Sequence, residues 1–531
     1  MVVDTLHRSH RLHRFIAVAG IAALLSLGAA RAGVMNPIPG DPVTIDTGKV
    51  AGTVLESGVH AYLGIPYAAP PVGNLRWHAP QPVKPWGGVF NAETMGKACA
   101  GAGQGNNEPR GEDCLNVNVW APAAARAGAR LPVLVWIHGG GFQGGSPNIA
   151  QYSGEPFAKK GLIYVGIAYR LGVLGFMSHP ELTREAGQSA PGNWGMLDQV
   201  AALKWVQKNI AAFGGDPANV TLIGESAGSE SIHILQASPM SKGLYARVSG
   251  WSGAITPPGN QMVPTLREAE QLGLKIQSAL HVNSLAEMRA VAWDKVFEAV
   301  TEPRQRRPVL DGYFLPALPV DIFKAGMQND VPVYVSSTAK DKGGSDEFYE
   351  VQTLLDLQTL AKQAFADQSD EFFRLFPASS DAEAVAQAQK VVGANGFGIS
   401  NRDWARQQAL SGKQPAYLAQ FARVSPYPPG ATGRFTIGAA HSTDIVYWLG
   451  TQDTQPRFRW TAWDRELSND MMETLIAFAK TGNPATAAAK VPRYDPKNEQ
   501  RVVFGDKVWI EKLDTAQLEF LRAHPTSGSQ Q

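Results

Sequence analysis

Cysteine is nearly absent: Cys99 and Cys114 are the only two in 531 residues. A cysteine-built zinc cluster or a CxxC redox pair is thereby excluded, because neither residue has the neighbours such sites need. Long apolar runs are equally scarce. The one stretch of that kind, Phe15 to Ala29, is shorter than the ~20 residues a bilayer crossing requires, and no second one follows. There is no excess of either charge: 48 Lys and Arg face 47 Asp and Glu. A basic surface for nucleic acid is not implied. Internal repeats and strongly biased tracts are missing too, and 44% hydrophobic residues describe an ordinary globular chain able to bury a sizeable core.

What the amino terminus does contain is an address. Arg8, Arg11 and Arg14 precede the apolar run and Ala30-Arg31-Ala32 follows it, the basic, apolar and A-x-A parts of an export signal. Residues 1–32 are expected to be removed, leaving 33–531 as the exported, periplasmic or secreted chain with no membrane span. Loss of four Arg and one Asp moves the formal charge from +1 to −2. In an oxidising compartment a cysteine pair is bridged more often than free, with two unpaired thiols as the alternative. A bridge would close a loop of about 15 residues, which the chain-entropy account values at roughly 3 kcal/mol.

Three apolar runs, Leu131 to Ile137, Leu162 to Tyr169 and Val220 to Ile223, lack strict alternation and are bounded by Gly and Pro, as parallel strands buried on both faces would be. Between the last two, Leu197 to Ile210 repeats apolar residues every three or four and reads as a crossover helix. Strand, helix, strand predicts an α/β fold with a mostly parallel sheet. Lys49 to Val54 is expected as an edge hairpin, and Gly64 to Trp77, with Pro70-Pro71, as a rigid loop outside the sheet. Helical, charged stretches at 257–307 and 348–413 read as insertions that cap the sheet's carboxyl edge, interrupted by a strand at Val331 to Ser336. A helix at Asp464 to Lys480 and a strand at Arg501 to Phe504 close a single domain before a Ser/Gln-rich tail.

Chemistry centres on Gly224-Glu225-Ser226-Ala227-Gly228, entered from an apolar strand and left by a helix. With 54 glycines the five-residue pattern alone carries little; the case comes from its partners. A serine hydroxyl needs a base, and the base an acid to orient it. Eight of the eleven histidines lie beyond the signal. His441, in the small-residue loop Gly438-Ala439-Ala440, is the best placed of them. For the acid, Asp341 follows the strand that ends at Ser336, with Asp346 and Glu347 as competitors. His138-Gly139-Gly140-Gly141-Phe142, directly after a strand, supplies bare amides, so Gly140, Gly141 and Ala227 form a three-donor candidate for oxyanion binding. Gly139 to Gly144 also fits G-x-G-x-x-G, but Gly145-Ser146-Pro147-Asn148 continues as loop where a dinucleotide site needs a helix.

Taken together and in order, GIPYAAPPVGNLRW at Gly64 to Trp77, EDCL at Glu112 to Leu115, HGGGF at His138 to Phe142, AYRLG at Ala168 to Gly172, AFGGDP at Ala212 to Pro217 and the Ser226 elbow resemble a type-B carboxylesterase, the α/β-hydrolase branch that includes cholinesterases. The resemblance implies a cofactor-free serine esterase acting on small-molecule esters, with Ser226 as nucleophile, His441 as base, Gly140, Gly141 and Ala227 as oxyanion hole, and a Cys99–Cys114 disulfide. The family usually has Asp-Glu-Gly where this chain reads Lys340-Asp341-Lys342, so Asp341 takes the glutamate's place with a shorter side chain. Ser336, Trp251 and Asp444 stand where the family usually has Gly, Gln and Glu. The loop from Ala100 to Asp113 holds no aromatic residue, so a choline-ester preference is not supported. The rival from another class is a non-catalytic binding or adhesion protein on the same scaffold. The oligomeric state leaves no mark in the sequence.

Overall fold

Every residue from Val133 to Ile137 is fully buried, and the strand's side chains divide between two cores. Val133, Val135 and Ile137 join one apolar cluster while Leu134 and Trp136 join another, so the strand is covered on both faces. That is why its sequence shows no alternation. The computed structural model describes residues 36–101, 108–187, 191–256, 263–300, 307–341, 346–431 and 438–526. The segment expected to be an export signal, 1–32, and the Ser/Gln-rich tail at 527–531 lie outside them.

Seven strands run parallel through the centre of an 11-stranded sheet, in the spatial order Ile163–Ile167, Leu131–Ile137, Gly215–Glu225, Arg247–Trp251, Val333–Thr338, Ala416–Phe421, Gln500–Phe504. Val508–Lys512 adds an antiparallel edge on one side; Asn116–Ala121, His60–Pro66 and Thr53–Val54 add three on the other. The fold is the α/β-hydrolase arrangement that the sequence predicts. Helix Trp194–Asn209 makes the crossover between Ile163–Ile167 and Gly215–Glu225. It is tied to the strand's exit by a buried fork: Arg170 Nε and Nη2 each donate to Asp198 at 2.7 Å.

Two local expectations are corrected. The hairpin lies one step earlier, Val43–Ile45 against Gly48–Ala51, while Thr53–Val54 joins the main sheet. Gly64 to Pro66 belongs to the strand His60–Pro66, not to a loop. The strand absorbs Gly64 at φ +70 through a register shift between Tyr62 and Ile65, a bulge that the glycine and proline content disguises.

The 257–307 stretch contributes helices Leu266–Ala279, Leu285–Ala290 and Trp293–Glu298. The 348–413 stretch behaves differently. Its helices Leu354–Phe365, Ser369–Leu375 and Asp381–Gly393 build a separate third core with Phe520 and Leu521 of the terminal helix Thr515–Ala523. Its last helix, Ile399–Ser411, returns to the sheet, where Asn401 Nδ2 donates to the Ser336 carbonyl at 2.6 Å.

Candidate active site

The turn at Ser226 follows from packing that leaves no room for side chains. Ser226 joins strand Gly215–Glu225 to helix Ala227–Ala237 at φ +55, a left-handed conformation that costs a non-glycine residue about 1–3 kcal/mol. Surrounding structure over-determines it: the Ser226 amide donates to the Trp251 carbonyl at 2.8 Å, and a Cβ on Gly228 would lie 2.0 Å from the Ile137 carbonyl oxygen. Beneath the turn the indole of Trp251 stacks on Trp448 at 5.1 Å and tilts against Trp136 at 5.7 Å.

His441 and Asp341, 100 residues apart, meet Ser226 in space. His441 Nε2 is 3.1 Å from Ser226 Oγ, and His441 Nδ1 is 2.8 Å from Asp341 Oδ1. The second Asp341 oxygen accepts from Ser252 Oγ at 2.7 Å and from the Thr338 amide at 2.9 Å, so the buried carboxylate is fully engaged. The two loops are stitched together by backbone: the Lys340 amide donates to the Ala439 carbonyl at 2.9 Å. Phe397 stacks on the imidazole at 5.3 Å. Of the competing acids, Glu347 is exposed, and buried Asp346 caps its own turn by accepting from the Phe348 amide at 3.0 Å.

On the other side of Ser226, Gly140 and Gly141 adopt φ +110 and +62. A Cβ on Gly140 would fall 2.3 Å from the Gly144 carbonyl oxygen, so the loop closes on itself only as glycine. The Cβ built on neighbouring Gly139 lies 3.1 Å from that of Ser226, which puts this loop's backbone directly against the Ser226 turn. Ala227 opens the helix, where an amide has no partner within the helix and the dipole favours negative charge.

Sequence reasoning missed Glu225, Ser252, Phe397 and Ser442. Glu225, buried between Gly224 and Ser226, places Oε1 3.3 Å from His441 Nε2 and accepts from Ser442 Oγ at 2.5 Å. Burial pushes its carboxyl above the usual range, and Asp444, wholly buried, is pushed well above it for the same reason. For His441, burial works to lower the imidazole, but the charges of Glu225 and Asp341 and the bond to Asp341 outweigh it and lift it to about 9. The one signal for Glu225 was its place inside the elbow pattern; the others lie far from it along the chain.

Cys99 and Cys114 are bonded. Among the described residues no cluster of His, Cys, Asp or Glu has metal-binding geometry, and no helix is long and apolar enough to cross a membrane.

Known proteins resemble the chain along most of its length. The family model described as "Carboxylesterase family" matches residues 40–521. The chain is 33% identical over 483 residues to the fumonisin B1 esterase of Sphingopyxis macrogoltabida, covering 87% of this chain and 86% of that protein. It is 32% identical over 497 residues to the para-nitrobenzyl esterase of Bacillus subtilis, covering 88% and 96%. A solved PNB esterase structure superposes with a TM-score of 0.74 at 30% identity, over 91% of this chain and 99% of that one. The chain therefore belongs to the carboxylesterase family and is a carboxylic-ester hydrolase of the serine type, built on the α/β-hydrolase fold.

Proposed function

We propose that Ser226, His441 and Asp341 are the catalytic triad of this esterase and that the amides of Gly140, Gly141 and Ala227 form its oxyanion hole. The observation that carries the reading is the continuous relay Ser226 Oγ to His441 Nε2 at 3.1 Å and His441 Nδ1 to Asp341 Oδ1 at 2.8 Å. Ser226 Oγ attacks the ester carbonyl as His441 takes its proton; the tetrahedral oxyanion is held by the three amides; His441 then protonates the departing alcohol. Water, deprotonated by the same imidazole, cleaves the acyl-enzyme and releases the acid. Asp341 fixes the imidazole's tautomer and stabilises its charged form. No step needs a cofactor.

The domain reading is one catalytic unit, 33–531, with insertions at 257–307 and 348–413. Export is supported by the signal pattern at 1–32 and by the Cys99–Cys114 bond, which persists in oxidising compartments. The substrate is a small-molecule carboxylic ester. The relatives' names, one an esterase of fumonisin B1 and one of para-nitrobenzyl esters, suit an enzyme of this chemistry without choosing its alcohol or acyl group. Ser226→Ala tests the assignment: hydrolysis of a p-nitrophenyl ester by the purified variant should fall at least about ten-thousandfold. Wild-type turnover would overturn Ser226 as the nucleophile.

A further inference from the structure

Arg307 lies outside the relay yet touches both halves of the proposed oxyanion hole. Its Nη1 donates to Glu230 Oε2 at 2.9 Å, and its guanidinium carbon lies over the Phe142 ring, 5.6 Å from the centroid, within cation–π range. Glu230 is one turn into the helix that Ala227 begins, and its amide donates to the Ser226 carbonyl at 2.9 Å. Phe142 directly follows Gly141. One cation therefore bridges the element that offers the Ala227 amide and the loop that offers the amides of Gly140 and Gly141.

Both attachments are where a brace would be needed. Phe142 is fully buried at φ +60, a strained conformation for an aromatic residue, and it persists only because its surroundings impose it. Its carbonyl accepts from the Gly172 amide at 2.6 Å, its ring meets Phe176 edge-on at 5.2 Å, and Arg307 covers it. Arg307 is itself carried on a fixed segment. Buried Asn193 donates to the Val309 carbonyl at 2.8 Å and accepts from the Val309 amide at 2.9 Å. The ion pair is largely withdrawn from solvent, with side-chain exposures of 15% for Arg307 and 8% for Glu230. A pair of this kind is better suited to fixing register than to adding stability.

We infer that Arg307 is a positioning residue that locks the His138–Phe142 loop to the nucleophile helix, so that three amides from two separate elements converge on one developing negative charge. The inference rests on the triad and oxyanion reading above. Oxyanion stabilisation depends on donors being in place before the reaction, and a displacement of about 1 Å can cost a hundredfold in rate.

The test uses the full-length enzyme carrying Arg307→Met, Arg307→Lys, Glu230→Gln, or Arg307→Met with Glu230→Gln. Kinetics on p-nitrophenyl acetate are set beside inhibition by a trifluoromethyl ketone, whose adduct with serine bears the oxyanion, and beside the thermal midpoint. Arg307→Met should lower kcat and the ketone's affinity together, by about ten- to a hundredfold, with KM within about threefold of wild type and the midpoint nearly unmoved. Arg307→Lys, which keeps the charge and most of the bulk, should recover part of the loss. The double variant should lose little more than Arg307→Met alone. The inference is overturned if Arg307→Met keeps kcat within about twofold, or if KM rises at constant kcat, which would make Arg307 a substrate-binding group. It is also overturned if Arg307→Lys and Arg307→Met lose activity only in proportion to folded protein. Ser226→Ala in the same assay separates the two levels: turnover there sinks the site assignment, whereas an inactive Ser226→Ala beside a fully active Arg307→Met sinks only the brace.

Discussion

The two sides of His441 are built by different means. On the Ser226 side, backbone presses on backbone: Gly228 sits against the Ile137 carbonyl and Gly140 against that of Gly144, with no space for a methyl group. On the Asp341 side, side chains reach across: Ser252 and His441 each bond one carboxylate oxygen, and Phe397 leans on the imidazole. The first kind of construction tolerates almost no change at its glycines and leaves a strict string in the sequence. The second can be met by more than one residue type, because a side chain of different length can reach the same imidazole.

Substitutions can push on this contrast, beginning where the effect should be greatest. Asp341→Asn should lower kcat about a thousand- to ten-thousandfold in steady-state assays while leaving the fold intact, because the wrong tautomer of His441 is then favoured. Next, Gly228→Ala should lose roughly 3 kcal/mol or more of stability in urea unfolding, along with activity, since its methyl would meet the Ile137 oxygen at 2.0 Å. A chemically milder change, Glu225→Gln, tests the charge on the shared imidazole. With His441 lifted to about 9, kcat/KM should climb with pH through the alkaline range as the neutral base forms. Removing Glu225's charge takes away the largest of the raising influences, so the midpoint of that limb should move down. An unmoved midpoint would mean Glu225 stays protonated throughout, in keeping with the burial that raises its own carboxyl. Smallest of all, exposed Glu347→Gln should stay within about twofold of wild type in kcat/KM; a larger loss would reopen the choice of acid.

The same contrast explains what could be read without coordinates. Gly224, Ser226 and Gly228 are adjacent in sequence because a sharp turn needs them adjacent, and the run before them is apolar because the strand is buried on both faces. Asp341 could not be separated from Asp346 and Glu347 by spacing: all three follow one strand, and only side-chain reach to a histidine 100 residues on decides among them. Ser252 and Phe397 were invisible for that reason as well. In the sheet, Leu131–Ile137, Ile163–Ile167 and Val333–Thr338 announced themselves by apolar runs, whereas the equally central Arg247–Trp251, with Ser249 and Gly250 inside it, did not. His60–Pro66 was hidden by a bulge at Gly64, and Ala416–Phe421 is a short run with a glutamine in it.

The indoles of Trp136, Trp251 and Trp448 nest together under the Ser226 turn, and the Trp251 carbonyl holds the Ser226 amide at 2.8 Å. A shift of Ser226 would be passed directly to the Trp251 backbone and so to this group of indoles. Stopped-flow intrinsic emission is therefore expected to change as the acyl-enzyme forms and decays, and an unchanged signal would show that the turn does not move.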